Sequence, residues 1–180
     1  MRISVVFLTV VFTILTACND RFQVIGKFEA TVNRTEMVFP SYRDTKMHRG
    51  GIKFNYSGDN KIMFFNGLAG GFVDGSPDLP MLAVTFKGDL DGNNIKLASI
   101  ILHKKINLRT VQNLFYRSSE KMGKQWASEL QMDEQGNASF SFRAELVRID
   151  TNTNKPIEGD KGIHVEGTFS GVVPEDEFAN

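Results

Sequence analysis

Residues 79–87 (LPMLAVTFK) and 95–103 (IKLASIILH) decide the fold. Both stretches are rich in apolar side chains, and the turn-forming stretch 88–94 (GDLDGNN) separates them. Such a pair predicts two antiparallel strands joined by a loop. The second stretch is apolar on both faces near residues 100–102, so we expect this hairpin to lie in the centre of a sheet.

Further strands are predicted on both sides of this hairpin. In residues 22–32, Phe28, Ala30 and Val32 alternate with polar residues, as in a strand with one buried face. Residues 138–149 place Phe140, Phe142, Ala144, Leu146 and Ile149 toward a core in the same way. Hairpins are predicted for 51–56 with 61–65 and for 126–132 with 138–149, and a last strand for 163–173.

Residues 104–125 break the pattern of alternation. Leu108, Val111, Leu114 and Phe115 recur at helical spacing. A short helix or an irregular crossover is therefore expected there. The whole pattern predicts a mainly β chain, an antiparallel β-sandwich or barrel of about seven to nine strands.

Composition and charge exclude several classes of function. The chain has 180 residues, of which 21 are basic and 21 acidic, so no affinity for nucleic acid is indicated. Cys18 is the only cysteine, which rules out an internal disulfide and a thiolate metal cluster. No motif for a cofactor is present, and none is predicted.

The N-terminus has the form of a secretion signal. Arg2 is followed by an apolar run over residues 3–15 that is shorter than the roughly 18–20 residues of a membrane-spanning helix. Residues 15–18 (LTAC) resemble the lipobox of bacterial lipoproteins. This resemblance implies cleavage before Cys18, acylation of Cys18 and attachment to a membrane of the cell envelope. In that family an Asp after the cysteine resembles an inner-membrane retention signal; Asn19 stands there, which favours the outer membrane.

The predicted organisation has four parts. Residues 1–17 form the signal peptide and 18–26 a lipidated N-terminus and tether. Residues 27–173 form a single β domain, and 174–180 a flexible acidic tail. The segments 26–33 (GKFEATVN) and 165–173 (VEGTFSGVV) resemble the first and last strands of small β-rich lipoproteins, many from Bacteroidetes. This resemblance implies a binding-type β domain without an agreed chemistry, and it assigns no functional residues.

Two segments are candidates for a binding surface. Residues 64–75 carry four glycines among apolar side chains, as in a loop that exposes aromatic surface. A plain connection whose Phe72 packs back on the core fits equally well. A second polar loop, at 40–50, has a basic bias, for which solvated charge is the simpler interpretation. The candidate residues are Phe65, Asn66, Phe72, Asp74 and Asp78 in the first segment and Tyr42 and Arg43 in the second.

Metal binding is not predicted. A calcium loop starting at Asp89 requires glycine at its sixth position and glutamate at its twelfth, where Asn94 and Ile100 stand instead. The three histidines, His48, His103 and His164, are not spaced to share a metal along one strand or helix.

The sequence therefore favours a non-enzymatic binding or assembly module of the cell envelope, presenting 66–78 and 40–50 to another envelope protein or to a glycan. One alternative is an envelope enzyme in which His103 and His164 meet a carboxylate, for which Glu145, Glu158, Asp160 and Glu166 are candidates. Another is an inhibitor of a hydrolase. A cleft that holds both histidines and a carboxylate would favour the enzyme.

Overall fold

The computed structural model describes residues 21–57, 59–73, 76–89, 94–105 and 113–178. Nearly every regular element among them is a strand. The strands are β1 (Phe22–Val32), β2 (Thr35–Asp44), β3 (Arg49–Gly50), β4 (Ile52–Ser57), β5 (Asn60–Leu68), β6 (Phe72–Val73), β7 (Ser76–Pro77), β8 (Met81–Asp89), β9 (Lys96–Lys105), β10 (Asn113–Ser119), β11 (Lys124–Ala127), β12 (Gln131–Met132), β13 (Asn137–Asp150), β14 (Lys155–Pro156) and β15 (Ile163–Val172). A short helix, α1 (Glu175–Phe178), follows.

Thirteen of the described strands form one antiparallel sheet. Its order is β3-β2-β1-β15-β13-β10-β9-β8-β5-β4, with β11, β12 and β14 also paired to β13, while β6 and β7 form a separate ribbon. The long strand β13 belongs to two parts of this sheet, because residues 137–146 pair with β15 and residues 147–149 pair with β10. We call the strands on the β15 side the first part of the sheet and those on the β10 side the second part.

A core of phenylalanine rings lies between the two parts. Phe65 of β5 contacts Phe140 of β13 and Phe169 of β15, each at a centroid distance of 5.1 Å. Phe86 of β8 contacts Phe140 at 4.9 Å. All four rings are buried, and burial of such a side chain stabilises the fold by about 1.5–3 kcal/mol. Aromatic contacts thus hold the second part of the sheet against the first.

Gly51 joins the strands at the two ends of the sheet order, β3 and β4. Its N–H donates to the carbonyl of Tyr42 at 2.7 Å, and its carbonyl accepts the N–H of Asn66 at 2.6 Å. A Cβ at this position would stand 2.4 Å from Oγ of Ser41 and 2.5 Å from the carbonyl of Asn66. Only glycine fits at this position, where the chain passes from β3 to β4 between the main chains of β2 and β5.

The mainly β, antiparallel prediction is confirmed, and the alternation in β1 and β13 places the expected residues in the core. The described residues form fifteen strands, five of which have only two residues. Such short strands leave no alternation in the sequence. The strand order begins at β3 and ends at β4 without pairing these two strands. The predicted sandwich or barrel of about seven to nine strands is therefore not confirmed.

The helix or crossover predicted at 104–125 is wrong where the structure describes it. Strands β10 and β11 occupy residues 113–119 and 124–127, and β10 buries the alternate residues Tyr116 and Ser118. A period of two thus replaces the helical spacing. Leu108 and Val111 lie outside the described residues.

Regular structure extends beyond residues 27–173 at both ends. Residues 22–26, predicted as part of the tether, lie in β1. Residues 175–178 of the tail that was predicted to be flexible form α1, which contacts the domain because Glu177 accepts the N–H of Phe54 at 3.3 Å and Pro174 is buried. The signal peptide and Cys18 lie outside the described residues.

Candidate functional site

Three aromatic rings meet at the end of the sheet where β1 begins and β2 ends. The rings of Phe22 and Phe72 stack at a centroid distance of 3.8 Å and an angle of 10°. Tyr42 meets Phe72 edge-on at 5.2 Å. All three side chains are half-buried, so each keeps some surface open to solvent. We call Phe22, Tyr42 and Phe72 the aromatic end.

Backbone turns bring Phe72 to this position. The ribbon of β6 and β7 is closed by the N–H of Asp78, which donates to the carbonyl of Gly71 at 2.9 Å. Gly71 has a φ of +67°, a conformation that glycine adopts without steric cost. The two candidate segments predicted from the sequence, 40–50 and 66–78, thus come into contact through Tyr42 and Phe72.

Arg21 connects the beginning of β1 to the end of β2. Its guanidinium lies 5.0 Å from the centroid of the Phe22 ring, and its Nη2 lies 2.8 Å from Oδ2 of Asp44. The hydrogen bond from Arg21 holds the pKa of Asp44 below its usual value. The side chain of Asp44 is largely buried, and its charge is compensated by this contact.

The turn after β2 is fixed to the same point. The N–H of Thr45 donates to the carbonyl of Arg21 at 2.8 Å. Oδ1 of Asp44 accepts the N–H groups of Lys46 and Met47 at 3.0 and 3.1 Å. Met47 nevertheless keeps 50% of its surface exposed. A rigid turn with an exposed apolar tip therefore lies directly beside Arg21.

The charged candidates Arg43 and Asp78 also have ionic partners. Nη2 of Arg43 lies 2.5 Å from Oδ2 of Asp176 in α1. Lys105 of β9 contacts Asp78, and this hydrogen bond lowers the pKa of the Asp78 carboxyl. Charges around the aromatic end are thus arranged in pairs that tie neighbouring elements together.

The other residues predicted for the binding segments have different positions. Phe65 is fully buried in the core, and Asn66 follows it in β5 at the Gly51 junction, so both belong to a strand and not to a loop. Tyr42 and Arg43 likewise lie in β2. Asp74 and Cys18 lie outside the described residues.

The histidines do not meet. His103 lies in β9 and His164 in β15, and the strands β10 and β13 lie between them in the sheet. His103 stacks on Phe115 at 3.9 Å, and its Nε2 is buried without a hydrogen-bond partner among the described residues. Burial lowers the pKa of His103, an effect that a hydrogen bond with Asn113 partly offsets. Burial thus favours the neutral form of His103 in the folded protein.

Three of the four carboxylates proposed for the enzyme alternative have basic partners other than His103. Glu145 pairs with Lys124 at 3.0 Å, and Glu166 lies 3.5 Å from Nε2 of the exposed His164. Asp160 pairs with Arg148 at 3.6 Å. The cleft of two histidines and a carboxylate that would favour an enzyme is not formed by these residues.

The described residues form neither a cluster of metal ligands nor a membrane-spanning helix. In the described ranges, no three His, Cys, Asp or Glu side chains group as they would around a metal ion. Among the same residues, no helix has the length and apolar character of a membrane span.

The sequence did not identify Phe22 and Arg21 as part of a site. Both fell in the segment interpreted as a tether. The only signal for Phe22 was its aromatic side chain at the beginning of an alternating strand. Its contact with Phe72 depends on a loop that the pattern does not position.

No protein-family model matches the chain, and neither the curated proteins nor the solved structures contain a match to it.

Proposed function

We propose that the chain is a lipid-anchored, non-enzymatic binding module of the bacterial cell envelope, attached through Cys18, with the outer membrane as its location. Its recognition surface is the aromatic end, and its partner is another envelope protein or a glycan. The observation that carries this proposal is the contact of Tyr42 with Phe72. This contact joins the two segments that the sequence predicted separately as binding segments, and the ring of Phe22 stacks on Phe72 at the same place. Partly exposed aromatic rings on a rigid support are common in binding surfaces.

The lipid anchor determines which way this surface faces. Cys18 is three residues from Arg21, and three residues of extended chain span about 11 Å at most. The headgroup layer of a bilayer is itself about 5–8 Å thick on each side. An acylated Cys18 therefore keeps the aromatic end close to the membrane surface. Its partner is accordingly a component that lies at that surface.

The proposal includes a rigid scaffold behind the aromatic end. We interpret the sheet as a sandwich whose two parts share β13 and are joined again by Gly51. The hydrogen bonds from Gly51 to Tyr42 and from Asn66 to Gly51 support this interpretation. Such a scaffold holds Tyr42 in a fixed position, so that binding requires little reordering.

The test is crosslinking of the lipidated protein in its own cells. A photo-crosslinking phenylalanine analogue replaces Val24, which is exposed, is the strand partner of Tyr42 and points to the same face as Phe22. The same analogue at Thr35, exposed at the far end of the β1–β2 hairpin, is the matched control. A stoichiometric adduct at Val24 that is absent at Thr35 and lost in Phe72→Ala supports the aromatic end as the recognition surface. An adduct that persists in Phe72→Ala, or that forms equally at Thr35, contradicts it.

A further inference from the structure

A groove with an excess of positive charge lies on the second part of the sheet, where β8 ends and β9 begins. Its volume is about 570 Å³. Four cationic side chains line it, against the carboxylates of Asp89 and Glu120. The cationic residues are Lys87, Lys96, Arg117 and Lys121. No ion pair links these four side chains to a carboxylate among the described residues.

Two of these cations stand in an unfavourable arrangement. Lys87 of β8 and Lys96 of β9 are direct partners in the antiparallel register. Directly opposed residues have Cβ atoms about 4.5–5.5 Å apart, and like charges in such positions repel each other. Both side chains are exposed. A ligand with two negative charges between them would turn this repulsion into attraction.

Arg117 supplies a third group to the same groove. It lies in β10, next to β9 in the sheet, and its Nε is buried without a hydrogen-bond partner among the described residues. A buried donor without a partner costs free energy. The guanidinium group is suited to oxygen atoms in a planar pair, as phosphate offers.

The groove is separate from the aromatic end. Asp89, which lines the groove, pairs with Asn60 at the beginning of β5, whereas Leu68 at the other end of β5 pairs with Met81. The eight residue-to-residue steps from Asn60 to Leu68 correspond to about 27 Å of strand. The segment that carries Phe72 follows Leu68, so the groove and the aromatic end lie at opposite ends of β5.

We propose that this groove binds a phosphate monoester, with Lys87 and Lys96 on either side of the dianionic group and Arg117 donating to its oxygens. A phosphate monoester carries close to two negative charges at neutral pH. This charge matches the excess of four cations over two carboxylates in the groove. Phosphate monoesters of this kind occur on sugars and on lipid headgroups, and the two sources share this chemistry.

The test is thermal unfolding of the full lipidated chain in detergent, in phosphate and in chloride at equal ionic strength. Phosphate should raise the Tm of the unsubstituted protein, because a ligand that binds only the folded state stabilises it. In Lys96→Gln this phosphate-specific rise should disappear. In chloride the same variant should have an equal or higher Tm, because the repulsion from Lys87 is relieved. Lys155→Gln, at an exposed lysine of β14, is the matched control and should keep the phosphate effect.

Equal stabilisation of Lys96→Gln and the unsubstituted protein by phosphate, or no difference between phosphate and chloride, would overturn the proposal. Two soluble probes then separate the sources: glucose 1-phosphate for a sugar and dihexanoyl phosphatidic acid, below its micelle concentration, for a lipid. The probe that acts at the lower concentration assigns the source, and a lack of effect by both contradicts the site. None of these results depends on the crosslinking at Val24, so the two proposals can fail independently.

Discussion

Gly67 of β5 lies so close to the main chain of β2 that a Cβ at this position would stand 2.3 Å from the carbonyl oxygen of Phe39. This approach brings β2 and β5 together although they are not paired in the sheet order. An alanine at position 67 must push the two strands apart. The position is therefore a sensitive probe of how the two parts of the sheet fit.

We expect Gly67→Ala to lower the free energy of unfolding by about 1–3 kcal/mol, the usual cost of overpacking. Gly50→Ala is the control, because the nearest atoms to its Cβ stand at 3.5 Å. It should change stability by less than about 0.5 kcal/mol. Urea denaturation of both variants measures the difference. Equal stability of the two variants would show that β2 and β5 are not in close contact.

Phe65 provides a test of the core. Because its ring is fully buried against Phe140 and Phe169, Phe65→Ala should destabilise the protein by about 3–5 kcal/mol. Phe72→Ala removes a ring of the same size that is only half-buried, and it should cost well under half as much. The urea concentrations at which the two variants are half unfolded measure this difference. A greater loss in Phe72→Ala would place Phe72, and not Phe65, in the core.

The alternation of polar and apolar residues was enough to predict much of this core. Phe140, Phe142 and Ala144 follow one another at every second position, and all three are buried. The contact of Phe22 with Phe72 could not be predicted in this way. It depends on a bulge near Ile25, where the register of β1 with β2 shifts by one residue. A bulge changes which side chains share a face, and the regular alternation of β1 begins only after it.

The binding segments were predicted as loops because their glycines and charges resemble those of turns. Gly67 serves instead for the close approach to Phe39, and Gly71 for a positive φ. Sequence alone does not distinguish these uses of glycine. The ion pair of Arg43 with Asp176 joins residues 133 positions apart, a separation over which local patterns carry no information.

His103 should make stability depend on pH near neutrality. Burial lowers its pKa in the folded protein, whereas the unfolded chain has a pKa of about 6.5. As the pH falls below about 6.5, the unfolded state binds the proton first, so stability decreases with falling pH. Above about pH 6.5 the ring is neutral in both the folded and the unfolded state, so His103 causes no loss of stability there. Asp44 and Asp78, whose pKa values are lowered, add a further loss only at more acid pH, below about 4.

We expect His103→Phe to flatten the stability curve between pH 7 and 5, since it removes the group that titrates there. Urea midpoints across this range give the curve. Ser139→Ala, at an exposed residue of β13 that carries no titratable group, is the control and should leave the slope unchanged. An unchanged slope in His103→Phe would mean that burial of His103 has little influence on its protonation.

The proposed anchor places Met47 at the lipid surface. In the lipidated protein Cys18 carries no free thiol, so Met47→Cys introduces a single labelling site. An environment-sensitive fluorophore there should shift to shorter wavelength when the protein is reconstituted in phospholipid vesicles. A label at Thr35→Cys should not shift, because nine residue-to-residue steps of β2 lead from Thr35 to Asp44, about 30 Å of strand.

Flotation with the vesicles distinguishes the two ways in which this expectation can fail. A protein that floats but gives equal spectra at both positions keeps its anchor and has another orientation. A protein that does not float has no anchor. Cys18→Ser should abolish flotation and leave the fluorophore at Met47 in water. If Cys18→Ser still floats, the attachment does not depend on acylation of Cys18.

The pairing of β1 with β15, in which Gly26 stands opposite Gly171, has a consequence for the growing chain. Strand β1 lies near the beginning of the chain, but it finds one of its two partners only when residues 163–172 have been synthesised. Until then one edge of β1 has no partner for its backbone, and contacts over so long a separation form slowly. Release of the chain before that point would leave β1 able to pair with other chains, so the protein depends on protection during its synthesis more than a chain of local hairpins does.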